Sequence, residues 1–313
     1  MPEYRAVRAQ LTFLELCKHP ARAAEVTLLP IEILGVDAAI VFSDILIPVE
    51  AMGMKLEFTE EGPELPEPVR TARDLGRLQV ANPDRDCPWA AETIDRLLPQ
   101  LGELPCLGFS GAPFTLAAYM VEGKTSKTFN KIKALMHHSP AVLHALLDLA
   151  TETAIAYLRS QVRAGAAAVQ LFDTWAGVLS PSDYLEFALP YQKRVFGALA
   201  GEAPTILYVN GGGTLLRQMA RSGADVISLD WRTSMAEARA VLGADVPVQG
   251  NLEPAVLHGP QHRIEEAAVR VLEEAGPRGH VFNLGHGITP DVSVSAAQAL
   301  VAAVQRHRHR QPA

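Results

Sequence analysis

The chain has 313 residues, 48% of them hydrophobic, with a formal charge of −7. That is enough apolar chain for one large core. The acidic balance, without a basic patch or arm, excludes a nucleic-acid binder held by charge, and it obliges any anionic ligand to find local cations. In chain order, residues 6–18 and 20–34 read as helices, the second with Pro20 near its start and Gly35 at its end. Residues 38–42 are an apolar run that ends in Ser43-Asp44. Residues 54–58, with the acidic and proline-rich 60–68 after them, read as an excursion outside the main pattern. Residues 89–101 read as a helix, and the run 106–109 ends in Ser110-Gly111.

The longest helix is predicted over 140–164, with Ser139 as its cap, Pro140 in its first turn and Gly165 at its end. Leu143, Leu147, Ala150, Ala154, Tyr157 and Val162 keep the spacing of one buried face. Further apolar runs follow at 167–172, 205–209, 226–229, 246–248 and 280–282. Each ends in Ser, Asp, Asn or Gly and leads into helix-like sequence; Ser180-Pro181 starts one such helix. The tail from Arg306, with His307 and His309 among arginines, reads as frayed and solvated. No linker or composition break divides residues 1–313, so one domain is expected. Cys17, Cys87 and Cys106 make no Cys-x-x-Cys pair and suit a reduced, cytoplasmic protein. The N-terminus has no apolar signal region, and no stretch reads as long enough to span a bilayer, so no membrane is expected.

Seven strand–helix units imply a parallel sheet buried on both faces. A closed barrel has eight. The expected fold is therefore α/β, a (β/α)8 TIM barrel with its first strand missing and seven recognisable βα units. In such a barrel the chemistry gathers where strands end. That rule selects Ser43 and Asp44, Ser110 and Gly111, and Asp173, Thr174 and Trp175. It also selects Asn210 with three glycines, Asp230, Gln249, Asn251, Asn283 and His286. Asp44 stands out, because a carboxylate beside Ile45 and Leu46 needs donors or a cation. An aspartate here more often caps a helix or orders a loop. His286 lies between glycines that let a ligand approach the backbone, although a lone histidine is more often structural. Tyr119 is ordinarily a packing residue, and Thr174 either binds a carboxylate or caps its turn.

Other motifs are decoys. Gly123-Lys124-Thr125 resembles the end of a phosphate loop, but Ala118 stands where its first glycine belongs. Gly211–Gly213 makes a permissive turn as readily as a phosphate cradle. His137-His138 has no matching ligand partner, and no zinc pattern is visible.

Taken in order, the pieces resemble the uroporphyrinogen decarboxylase family along nearly the whole chain. They are Pro2-Glu-Tyr-Arg5, Gly35-Val-Asp-Ala-Ala-Ile, Phe42-Ser-Asp-Ile-Leu46, Gly108-Phe-Ser-Gly-Ala-Pro-Phe-Thr-Leu116 and Tyr119-Met-Val-Glu-Gly123. Phe172-Asp-Thr-Trp-Ala-Gly177, Leu229-Asp-Trp231, Gln249-Gly-Asn-Leu-Glu-Pro254 and Phe282-Asn-Leu-Gly-His-Gly287 complete the set. The resemblance implies a homodimeric (β/α)8 barrel that uses no cofactor or metal. It would convert uroporphyrinogen III to coproporphyrinogen III by removing CO₂ from four acetate side chains. By the same match, Asp44 accepts hydrogen bonds from pyrrole N–H groups and stabilises a cationic intermediate. Tyr119 hydrogen-bonds near the reacting acetate or Asp44. Thr174, where the family usually has Ser, and His286 bind substrate carboxylates, and Arg8 is a further candidate for that task.

One departure stands at the front. The family carries Arg-Gln-Ala-Gly-Arg just before its Met-Pro-Glu-Tyr-Arg equivalent, at the end of its first strand, and this chain starts at that Met. The expectation is a reading frame that begins upstream, with a truncated paralogue as the alternative. As written, an open barrel with two unpaired edges is expected. Each lost arginine costs about 2–5 kcal/mol of binding in a multi-anionic site, so strong activity is expected only with both present. Two other functions compete: a non-catalytic tetrapyrrole-binding protein, and a corrinoid-linked methyltransferase. Methyltransferases with this barrel carry His-x-Cys at a strand end, where this chain has Leu207-Tyr-Val-Asn210.

Overall fold

A computed structural model describes residues 1–308. The strands are β1 (Ala39–Ile40), β2 (Glu57–Thr59), β3 (Gly62–Glu64), β4 (Cys106–Gly111), β5 (Ala168–Phe172), β6 (Thr205–Tyr208), β7 (Val226–Ser228), β8 (Val248–Leu252) and β9 (His280–Leu284). β2 and β3 form a separate antiparallel hairpin, which is the excursion expected after residue 54. The other seven make one parallel sheet in the order β1-β4-β5-β6-β7-β8-β9, with helices between successive strands. This is the succession of a (β/α)8 barrel short of one strand. Among the described residues β1 and β9 do not pair with each other. Ile40 on β1 and Val281 on β9 are 48% and 51% exposed, which apolar strand residues inside a closed barrel are not.

The strands begin and end where backbone chemistry dictates. The sixth run was expected at 246–248, but Pro247 has no N–H to donate, and β8 starts at Val248. Pro247 still contributes its carbonyl, which accepts from Ile227 N at 3.0 Å. Gln249 and Asn251 therefore lie inside β8, and Asn283 inside β9, not beyond them. Ser110 and Gly111 likewise belong to β4.

Two helices, Pro20–Leu34 and Trp89–Leu101, have the bounds read from the sequence. The first closes on Gly35 in the left-handed conformation that glycine tolerates. Residues 6–18 are not one helix. They divide into Pro2–Arg8 and Phe13–Cys17, because Thr12 and Glu15 form a reciprocal cap that starts a new helix. Within the first of these, Tyr4 meets the Phe42 ring beyond β1, and Arg5 Nη2 donates to Pro290 O beyond β9. That short helix thus touches the loops after both sheet edges. The tail is more ordered than expected: Arg306 and His307 lie on the helix Val294–Arg308, and Arg306 pairs with Glu265 at 3.0 Å. His309 lies outside the described residues.

The long helix Pro140–Arg163 ends one residue earlier than expected, and Ser139 makes no side-chain cap. Contrary to the sequence reading, its length and composition would allow it to cross a membrane. Its apolar face instead packs into the core, where Leu143, Leu146, Leu147, Ala150, Ala154 and Leu158 are fully buried. It rests on β4 and on the helices Pro113–Glu122 and Leu189–Leu199.

Gln161 pins that helix to β4. Leu107 O accepts from Val41 N, and Phe109, two residues on, faces the same neighbour where β1 has already ended. Beyond the end of β1, the Gln161 side chain takes that strand's part. Its Oε1 accepts from Phe109 N at 2.8 Å, and its Nε2 donates to Phe109 O at 2.9 Å and Tyr157 O at 3.2 Å. Gly108 makes room for it, since a Cβ there would lie 2.6 Å from Gln161 Oε1. Replacing Gln161→Leu keeps the bulk but orphans both Phe109 groups. The unfolding free energy from urea denaturation is expected to fall by about 1–3 kcal/mol. An unchanged midpoint would show that the amide does not hold the strand.

Candidate active site

The C-terminal ends of β1, β4 and β5 surround an open cavity of about 440 Å³. Its walls are Ile40, Val41, Phe42, Ser43, Ile45, Phe109, Phe172 and Thr174. The lining is largely apolar, with the Ser43 and Thr174 side chains as its hydroxyl groups. Such a volume is in the range of small-molecule sites. Thr174 is thus in the wall. Asp44 lies between two wall residues and His286 on a separate stretch of the lip; neither is in the wall itself.

Asp44 follows β1 in a tight turn. Its Oδ1 accepts from Leu46 N at 2.8 Å, and its own carbonyl accepts from Ile47 N at 3.2 Å. The loop-ordering role is therefore real. It engages only one carboxyl oxygen, and among the described residues no protein donor reaches Oδ2. Leu46 and Ile47 are buried beside it. Desolvation pushes the Asp44 pKa up to about 6, and the single Leu46 N–H offsets this only in part.

Two tyrosine hydroxyls and one thiol feel the charge of Asp44. Desolvation raises the pKa of the Tyr119 hydroxyl, the Tyr157 hydroxyl and the Cys17 thiol, and the Asp44 charge adds a smaller push in the same direction. Tyr157 is fully buried and reaches Ser43 Oγ at 3.2 Å. Tyr119 sits on the helix Pro113–Glu122, with its ring edge-on to Trp175 at 5.8 Å. Burial raises its hydroxyl pKa, and hydrogen bonding from Thr125 and Trp175 partly opposes this. The structure therefore brings Asp44 and Tyr119 within electrostatic reach of each other. Arg8 is partly exposed; it donates from Nη1 to Leu11 O and lies 5.8 Å from the Phe13 ring centre.

The Thr174 loop is held from beneath by Asp173, which the strand-end rule selected as a site candidate but not as a buried anchor. Asp173 is completely buried and accepts from Thr115 Oγ1 at 2.7 Å, Thr115 N at 3.2 Å and Gln192 Nε2 at 2.7 Å. Thr115 Oγ1 in turn accepts from Trp175 N at 3.0 Å. Burial raises the Asp173 pKa to about 6 against these donors. Its three donors come from 58 and 19 residues away, so no local pattern announces this anchoring role.

Across the lip, His286 is exposed and meets the Trp231 and Tyr208 rings edge-on at 5.9 and 6.4 Å. Tyr208 Oη donates to Gly285 O at 2.9 Å. Gly285 must be glycine, because a Cβ there would come within 2.5 Å of Trp231 N. The three cysteines are buried, and desolvation pushes their thiols up to about 12, 12 and 11.

Comparison with known proteins places this geometry. A sequence profile for the family described as uroporphyrinogen decarboxylase (URO-D) matches residues 1–307. The uroporphyrinogen decarboxylase of Geobacter metallireducens is 52% identical over 309 residues, which span 98% of this chain and 91% of that one. The Myxococcus xanthus protein of the same name is 51% identical, over 98% of this chain and 89% of its own. Among solved structures, a methyltransferase from Methanosarcina mazei superimposes with a TM-score of 0.78, covering 96% of this chain and 90% of that one. At 23% identity that is a likeness of fold.

The raised Asp44 pKa fixes the sign of a stability effect. The folded chain holds this proton up to pH about 6, whereas an exposed aspartate loses it near pH about 4. Stability from this group is therefore greatest below pH about 4 and declines as pH rises through about 6. Asp44→Asn removes the ionisation and keeps an acceptor for Leu46 N. The variant is expected to be more stable than the parent by about 1–3 kcal/mol at pH 8, with the gap closing below pH about 4. Chemical denaturation across that pH range measures it, and a constant gap would refute the assignment.

Proposed function

The chain belongs to the uroporphyrinogen decarboxylase family, and from that membership we propose how its residues divide the work. The reaction is that of a carboxy-lyase in haem and related tetrapyrrole synthesis. CO₂ leaves the four acetate side chains of uroporphyrinogen III, giving coproporphyrinogen III. Each departure breaks a carbon–carbon bond and leaves its electron pair behind. A pyrrole protonated on carbon is cationic and accepts that pair, so the substrate supplies its own electron sink. The exocyclic carbon then takes a proton from solvent to become methyl, and the ring carbon gives its proton back. What the protein must supply is stabilisation of the positive ring and a grip on several carboxylates.

Asp44 is the group for the first task. Its Oδ2 has no donor from the protein, and pyrrole N–H groups would satisfy it. Attraction between this anion and a cationic ring is strong because the surroundings are apolar and water is displaced. The raised pKa of the free group is the cost of that arrangement. A bound cation reverses the shift and fixes Asp44 as the anion. Tyr119, already coupled to Asp44, orders the reacting acetate or the carboxylate beside it. The Thr174 hydroxyl and His286 take substrate carboxylates, with Arg8 as a further cation. A homodimer in the cytoplasm is part of the same proposal and is supported by the family membership. So is a single domain over residues 1–313.

The observation that carries this reading is the half-satisfied carboxylate of Asp44 beside an apolar cavity. Asp44→Asn preserves volume and the Leu46 contact but removes the charge. Decarboxylation, followed by product mass, is expected to fall by about 10²–10³-fold, the usual worth of one electrostatic stabiliser. In the parent chain kcat/KM should decline as pH drops through about 6 and Asp44 of the free enzyme takes up its proton, while kcat holds to lower pH. Undiminished turnover in the variant would remove Asp44 from the mechanism.

A further inference from the structure

Opposite Asp44, the loop after β7 holds a guanidinium that the functional reading has not used. Asp230 has a side chain only 1% exposed, yet it bears a full set of donors. Its carboxylate accepts from Gly211 N, from Arg232 N at 3.0 Å and from Arg232 Nη1 at 2.8 Å. Arg232 Nη1 also donates to Asn210 Oδ1 at 2.9 Å. The guanidinium carbon lies 4.0 Å from the centre of the Trp231 ring, a cation–π distance. Asn251 Nδ2 donates to Asp230 O at 2.8 Å and Thr233 O at 2.6 Å, which fixes the loop.

These contacts engage one nitrogen of the arginine. Among the described residues no protein acceptor meets Nε or Nη2, and the side chain is 52% exposed. The Nε–Nη2 edge is the planar fork that takes a carboxylate with two parallel bonds. Two backbone N–H groups share the charge of Asp230, so the arginine's charge is only partly spent. The fork is also connected to the cavity. Trp231 touches His286, His286 touches Tyr208, Tyr208 touches Phe172, and Phe172 touches Phe109, with ring centres 5.7–6.4 Å apart. Phe172 and Phe109 are cavity walls.

We propose that Arg232 is a specificity-determining residue that grips a carboxylate on the rim of the macrocycle other than the one that departs. The proposal rests on the porphyrinogen reading above. A group that binds equally before and during the reaction lowers KM and leaves kcat alone. Arg232 thereby sets which polycarboxylates are accepted.

The test compares the parent chain with Arg232→Gln and Arg232→Lys in two measurements. One is kcat and KM for uroporphyrinogen by product mass. The other is the calorimetric Kd for uroporphyrin, the oxidised macrocycle, which keeps the carboxylates and does not decarboxylate. Arg232→Gln is expected to raise both KM and Kd by roughly tenfold to hundredfold, the worth of hydrogen bonds to a charged group. Its kcat should stay within about threefold, with an unchanged circular dichroism spectrum. Arg232→Lys restores part of the affinity, as charge without the fork. Unchanged KM and Kd in Arg232→Gln overturn the proposal, as does a loss of kcat with Kd unchanged. A parent chain that binds uroporphyrin but releases no CO₂ from uroporphyrinogen overturns the functional reading, while the Kd comparison still decides the role of Arg232.

Discussion

A carboxylate held among apolar side chains must find compensation, and the protein gives Asp44 only one hydrogen bond. That shortage is the constraint from which the rest of the site takes its sense. The turn could have been closed by any short acceptor bonded to Leu46 N. An aspartate there leaves a second oxygen open and raises the cost of ionisation, so its pKa sits near pH 6. The missing compensation is the kind a cationic ring with inward N–H groups provides. The fold supports the arrangement mechanically: β1 delivers Asp44 to the lip, Tyr157 holds Ser43 beside it, and Gln161 fastens the neighbouring strand where β1 stops.

The lip divides into two unlike halves. On the β1–β5 side the cavity is largely apolar, with hydroxyls from Ser43 and Thr174. On the β6–β9 side, aromatic rings carry His286 and Arg232. An apolar bowl strengthens a charge–charge interaction at its centre. A polar, partly hydrated rim suits carboxylates that must stay ionised while the chemistry proceeds elsewhere. Two buried aspartates stabilise this division in different ways. Asp173 ties the Thr174 loop to two helices, and Asp230 aims the Arg232 side chain.

The fold was legible because strand runs and helix caps are local signals. All seven barrel strands were found, and two helices matched at both ends. Misreadings arose where a local signal was overridden. The Thr12–Glu15 cap split an apparently continuous helix, and Pro247 delayed β8. The Pro140–Arg163 helix has the apolarity of a membrane span, and tertiary packing uses it as core. Asp44, Tyr119, Thr174 and His286 were visible because strand ends and family motifs mark them. Asp173, Gln161 and Arg232 were not singled out for the parts they play here. Their partners are brought in by the fold from distant sequence, or, for Arg232, the informative fact is which nitrogen atoms stay open.

The account depends on Asp44 responding to a positive ring. The direct measurement is a ¹³C NMR titration of the Asp44 carboxyl carbon, in the free chain and with a non-reacting porphyrinogen analogue bound. The account predicts a pKa of about 6 in the free chain, falling below the ordinary aspartate range when the analogue's N–H groups reach Oδ2. An Asp44 that titrates identically in both states would contradict it.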